Sequence, residues 1–226
     1  LIRQNTGSMQ ETLSTVQKLE LCTEQECKVL VTMAQRKINA VTSTSAGRLF
    51  DGISAILGIR KASTFEGEAS MALEFAAEEW RRGLERKMVI ENAESEIRLE
   101  ELTANDAVNS GADPGKIILN TCELVRHLTE ARLAGEAPEK LAYKFHAALA
   151  EQIIAACEEA KRQTGICKVA LSGGVFQNRL LLELVDEGLQ KKGFQVLKHS
   201  LIPPNDGGIA LGQAAYGMAY LNRNTR

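Results

Sequence analysis

Along much of the chain, apolar residues return every three or four positions, the spacing of one helix face. Leu13, Val16, Leu19, Leu30, Met33, Ala34 and Ile38 mark the first such face. Thr23-Glu-Gln-Glu26 interrupts it with the pattern of a capping box, in which a threonine and a glutamate three residues on satisfy the end of a new helix. Two helices are therefore expected within 13–38, behind a polar, frayed stretch over 1–12. Leu49, Phe50, Ile53, Ile56 and Leu57 predict a third helix after a Thr/Ser/Gly loop. Met71, Leu73, Phe75, Ala76 and Trp80 predict a fourth, beginning near Gly67, and read as core. Further helices are expected over 117–134 and 138–163. Leu141, Phe145, Ala148, Leu149, Ile153 and Ala156 form the stripe of the second, and His146 beside it reads as a packed or exposed histidine rather than a ligand.

Strand signals are fewer. Met88–Glu91 and Ile97–Glu100 read as a strand pair, and the polar, glycine- and proline-bearing stretch Ala104–Lys116 as a surface loop. Lys168–Glu183 is organised most sharply. Val169–Leu171 suits a buried strand, Ser172-Gly173-Gly174 breaks it, and Leu180, Leu181, Leu184, Val185 and Leu189 predict a helix from Val175 onward. Gly193–Lys198 reads as another strand. In Ile202–Tyr216 the logic repeats: two prolines stiffen the approach, Asn205 or Asp206 caps, and Gly207-Gly208 leads into a helix. The small residues Ala210, Gly212, Ala214, Ala215 and Gly217 would let that helix pack closely on a sheet.

Composition narrows the picture. The 226 residues suffice for one large domain or two small ones, and a net charge of -2 supplies no basic field to recruit nucleic acid. No apolar run reaches membrane-spanning length, and the first residues lack the apolar core of a signal peptide. Five cysteines, odd in number and scattered, read as reduced thiols in a cytoplasmic protein. The chain opens on Leu1, which suggests part of something longer.

The candidate chemistry sits in the loops. The first amides of a helix behind a glycine turn can receive a nucleotide or its phosphates, although an ordinary strand-to-helix connection explains two glycines as well. Asn178 adds an amide donor and a carbonyl acceptor near that turn. Asp51, near a helix start, either complements the helix dipole or accepts two hydrogen bonds from a ribose diol. Asp206 is a cap by default and a metal-binding carboxylate on a sharper reading.

Four segments, taken together and in order, carry a resemblance: Ser45-Ala-Gly-Arg-Leu-Phe-Asp51, Phe65-Glu-Gly-Glu-Ala69, Leu171-Ser-Gly-Gly-Val-Phe-Gln-Asn-Arg179 and Pro204-Asn-Asp-Gly-Gly-Ile-Ala-Leu-Gly-Gln213. The chain resembles the C-terminal part of HypF-type carbamoyltransferases over roughly residues 30–220. The resemblance implies an α/β fold: the later lobe of an actin/Hsp70/sugar-kinase-like (ribonuclease H-like) domain, helix-rich with a small mixed sheet. Residues 1–38 would be a helical lead-in and 39–226 the lobe. It also implies ATP and carbamoyl phosphate as substrates and carbamoyl-adenylate as the intermediate. The acceptor would be the C-terminal cysteine of HypE, on the route to the cyanide ligands of nickel–iron hydrogenases. By the same resemblance Asp51 and Glu68 lie at the nucleotide's ribose and pocket, Gly173, Gly174 and Asn178 at its contacting turn, and Asp206 at a metal, iron or zinc. The two histidines that complete that metal site in the family form a His-x-x-x-His segment absent here, where the histidines are His127, His146 and His199. The isolated chain is therefore expected to lack transfer activity.

Three other readings compete. A tRNA threonylcarbamoyl-transfer protein or an O-carbamoyltransferase shares the glycine turn, but Gly-Arg-Leu-Phe-Asp and Val-Phe-Gln-Asn-Arg favour the hydrogenase family, and the charge disfavours tRNA. A non-catalytic docking module would have no use for Asp51 or Asn178.

Overall fold

The computed structural model describes residues 1–41, 43–91, 108–110 and 117–224. The lead-in divides where the capping box predicted. Helix α1 (Met9–Lys18) ends, and α2 (Glu24–Arg36) starts behind Thr23, whose hydroxyl accepts from Glu26 N while the Glu26 carboxylate accepts from Thr23 N. The first residues are more ordered than their polarity suggested. A 3-10 turn spans Ile2–Asn5, Ser8 caps α1, and Thr12 is buried with its hydroxyl 2.6 Å from that of Thr6. Leu13, Val16, Cys27 and Val31 close a small core of their own, which leaves Leu30 and Ile38 exposed rather than on the buried face of α2.

The main core is built around α6 (Pro138–Thr164), which starts with proline at its first turn and stops at Gly165 in the left-handed region. Against it pack α3 (Ala46–Leu57), α4 (Glu68–Glu91), α5 (Thr121–Leu133) and α7 (Arg179–Lys191). Phe50, Ile53, Ile56 and Leu57 of α3 are buried as their spacing predicted, and the Phe50 ring meets Phe145 edge-on at 4.9 Å. On α4 the core face is Ala69, Leu73 and Ala77, with Ala76 and Trp80 partly buried beside it. Met71 and Phe75, read as core in the sequence, are exposed.

Strands β1 (Val108–Ser110) and β2 (Ile117–Leu119) pair antiparallel, and β3 (Lys168–Leu171) and β4 (Gln195–Lys198) pair parallel, with α7 in the crossover. The described residues thus form two separate pairs rather than one mixed sheet. Met88–Glu91, read as a strand, is the last turn of α4, while Ile97–Glu100 lies outside the described residues. Part of the expected loop, 108–110, is strand. The helix expected from residue 117 starts instead at Thr121, after β2, where Asn120 caps it. Helix α8 (Ile209–Asn224) follows the second glycine pair as predicted but, among the described residues, packs on no sheet. The exposed stretch from Leu201 to Pro203 leads away from the core, and Ile209, Leu211, Tyr216, Met218 and Tyr220 are each more than half exposed.

Candidate functional site

At the end of β3 the chain turns through Ser172-Gly173. Gly173 has φ 98° and ψ 159°, a conformation that essentially only glycine adopts. Its N–H donates to the Pro204 carbonyl at 2.9 Å, which ties the two glycine loops together. The helix does not begin at Val175. Gly174–Gln177 form a 3-10 turn, and α7 starts behind Asn178, whose Oδ1 accepts from Leu181 N at 2.8 Å. Asparagine is among the strongest cap residues, so the helix begins where its cap lies rather than where apolar residues resume.

A cavity of about 340 Å³ opens beside this turn. Gly174, Val175, Gln177 and Asn178 form one wall, Gly47 and Phe50 of α3 another, and Glu66, Gly67, Ser70, Met71, Glu74 and Phe75 the third. Among the described residues its lining holds aromatic and aliphatic surface, two carboxylates and no cation. Glu74 Oε1 accepts from Arg179 N at 2.7 Å and from Leu180 N at 3.4 Å, and burial pushes its carboxyl group up from the usual range. The amino end of α7, which the sequence offered to a phosphate, is therefore occupied by Glu74 and by the Asn178 cap. Two protein acceptors already satisfy the amides an anion would need.

Asn178 is buried, and behind it stands His146, fully buried on α6. His146 Nδ1 lies 2.8 Å from the Ala142 carbonyl, and Nε2 lies 2.9 Å from Asn178 Nδ2. A carbonyl only accepts, so Nδ1 carries the proton and Nε2 receives the asparagine N–H. The Phe50 and Phe145 rings approach the imidazole edge-on at 5.4 and 5.5 Å. Desolvation in this apolar setting lowers the histidine pKa to about 4, so the ring is neutral.

Comparison with known proteins decides the family. Residues 2–213 match the family model described as carbamoyltransferase, Kae1-like domain, second subdomain. The chain belongs to the HypF carbamoyltransferase family. It is 28% identical to a probable carbamoyltransferase HypF of Methanocaldococcus jannaschii, over 95% of this chain and 24% of the relative. Identity to the carbamoyltransferase HypF of Rhodobacter capsulatus is 35%, over 85% of this chain and 22% of the relative. Among solved structures, a full-length HypF in the phosphate- and nucleotide-bound form superposes with a TM-score of 0.75 at 31% identity, covering 97% of this chain and 26% of that one. The chain thus spans about a quarter of the length of these HypF proteins. The α/β fold that the resemblance implied is the fold of these neighbours, and the matching family model describes it as Kae1-like.

The residues carried over from HypF proteins fall in four places. Gly174 and Asn178 line the cavity, with Gly173 shaping the turn beside them. Asp51 stands on α3 one turn beyond Gly47 but is not part of the lining, and it faces Arg48 at 3.5 Å. It is the sixth residue of α3, too far along for the dipole explanation. Glu68 turns away from the lining. It accepts from the amide and hydroxyl of Thr64 and pairs with Arg60, and these contacts, the Thr64 amide foremost, lower its pKa. Asp206 is exposed in the 3-10 turn Asp206–Gly208, where Asn205 supplies the capping oxygen. Among the described residues no group of three or more His, Cys, Asp or Glu side chains is arranged to hold a metal. The described residues therefore do not fit the iron or zinc that the resemblance implies, since a transition metal wants three or four ligands.

Glu74, Met71, Phe75 and Gly47 line the cavity without having been read as site residues, whereas His146, read as packed or exposed, is packed. One signal was available for Glu74: with Gly67, Ser70 and Met71 it recurs at helical spacing on a face distinct from Ala69, Leu73 and Ala77.

Proposed function

We propose that this chain is the nucleotide-binding part of a HypF-type carbamoyltransferase, and that its cavity takes the nucleoside end of ATP and of carbamoyl-adenylate. The cavity beside the glycine turn carries the reading. Exposed apolar surface from Met71 and Phe75 suits a purine face, while the carboxylates of Glu66 and Glu74 suit hydroxyl donors. With no cation among the described residues of the lining, the phosphates are better placed outside it. A nucleotide-bound HypF among the structural neighbours supports the same reading.

In the complete protein the carbamoyl group would pass from carbamoyl-adenylate to the C-terminal cysteine of HypE. The thiolate sulfur bonds to the carbamoyl carbon, the bond from that carbon to the phosphate oxygen breaks, and AMP leaves. This chain's contribution is to hold the adenosine and fix where the acyl phosphate projects, an effect of position and orientation.

Calorimetric titration with ATP tests the reading. The chain should bind saturably, and adenosine should compete. Gly47→Leu, which projects a side chain from α3 into the cavity, should weaken binding by about tenfold or more without lowering the melting temperature. Absence of saturable binding, or binding indifferent to Gly47→Leu, would overturn it.

A further inference from the structure

We propose that His146 is a positioning residue of this site, holding Asn178 in the single amide orientation that both caps α7 and presents the glycine turn to the cavity. The inference rests on the nucleotide-site reading for its functional consequence and on the hydrogen bonds alone for its geometry. An asparagine side chain can be turned over, exchanging its donor and acceptor ends. Here the choice is forced from behind. Ala142 accepts the Nδ1 proton of His146, so Nε2 has only a lone pair to offer and must face the NH2 of Asn178. The carbonyl oxygen then points to Leu181 N and starts α7. One Nδ2 hydrogen and one Oδ1 lone pair remain without a protein partner among the described residues, on a side chain that lines the cavity. A residue 32 positions earlier in the sequence, and not itself on the lining, thereby sets which polar groups the site can offer a nucleotide.

The first test needs no ligand. Nitrogen-detected NMR of the whole chain should show a neutral His146 imidazole protonated at Nδ1, with Nε2 shifted as a hydrogen-bond acceptor. The opposite tautomer would overturn the proposal. The second test compares two variants. In His146→Gln the side-chain carbonyl can take over from Nε2, so the Leu181 amide should keep its protection from solvent exchange and ATP affinity should stay within about threefold of the original. His146→Phe retains ring packing beside Phe50 and Phe145 but has no acceptor. Exchange at Leu181 should rise by about tenfold and ATP affinity fall by a similar factor, with α6 still folded by circular dichroism. Equal exchange at Leu181 in both variants would sink the positioning role. If the parent chain binds no ATP, the nucleotide reading fails instead, and the tautomer and Leu181 exchange still decide the role of His146.

Discussion

A carboxylate held against the amino end of a helix does what a bound anion would otherwise do, and Glu74 stands in that relation to Arg179 and Leu180. Glu74→Gln keeps an acceptor at the same place and should change stability by less than about 0.5 kcal/mol, whereas Glu74→Ala strands two amides and should cost about 1–2 kcal/mol in urea unfolding. Equal losses in both variants would show that charge rather than hydrogen bonding matters there. His146 makes a second prediction through pH. Its folded pKa of about 4 lies below its ordinary 6.5, so between these values the unfolded chain binds a proton that the folded chain refuses. Its contribution to stability is full above pH 6.5 and declines as pH falls toward 4, by on the order of 3 kcal/mol in total. The urea midpoint of the parent chain should therefore fall relative to that of His146→Gln as pH is lowered through that window. Parallel profiles would contradict the assignment. Neither residue announced this in the sequence, because both roles depend on partners that folding brings from other elements.

At the scale of elements, helix spacing was read best on α3 and α6, which bury most of the residues their stripes named and leave Leu49, Ile153 and Ala156 partly buried. On α2 the stripe was misplaced: Cys27 and Val31 are buried, and Leu30 is exposed. α4 misled because it has two apolar faces: Ala69, Leu73 and Ala77 enter the core, while Met71 and Phe75 border the cavity. Periodicity reports that a face is apolar, not whether it meets a core or a ligand-sized gap. Helix starts were legible where a polar cap was recognised, as at Thr23, and misplaced by four residues at α7, where Asn178 was read as a ligand contact before it was read as a cap. The short strands were least visible, since three residues carry almost no alternation to detect. Packing between elements makes a prediction of its own. A Cβ placed on Gly188 of α7 would collide with the Ile154 side chain of α6. Gly188→Ala should thus destabilise the chain by about 1–3 kcal/mol despite alanine's better helix propensity. An unchanged urea midpoint would mean that Ile154 turns aside freely.

Over the whole molecule, the order of motifs was enough to imply the family, because four short segments in sequence exclude far more than any one of them. They did not reveal how those segments are divided between lining and support. Of the residues that the resemblance singled out, Gly174 and Asn178 line the cavity, whereas Asp51, Glu68 and Asp206 stand off it. The division of the described residues into two hydrophobic clusters has a consequence for how the chain comes apart. Trp80, the only tryptophan, leans on the large cluster, whereas the cluster of Leu13, Val16, Cys27 and Val31 contains no fluorophore of that kind. The two meet chiefly through Ile2, Leu21 and the 3-10 turn against α5. That narrow seam favours loss of the lead-in before the rest. On heating, far-ultraviolet ellipticity should begin to fall while tryptophan emission is still native, so the two probes would trace separate transitions. Coincident curves would mean that the seam, narrow as it is, binds both clusters into a single cooperative unit.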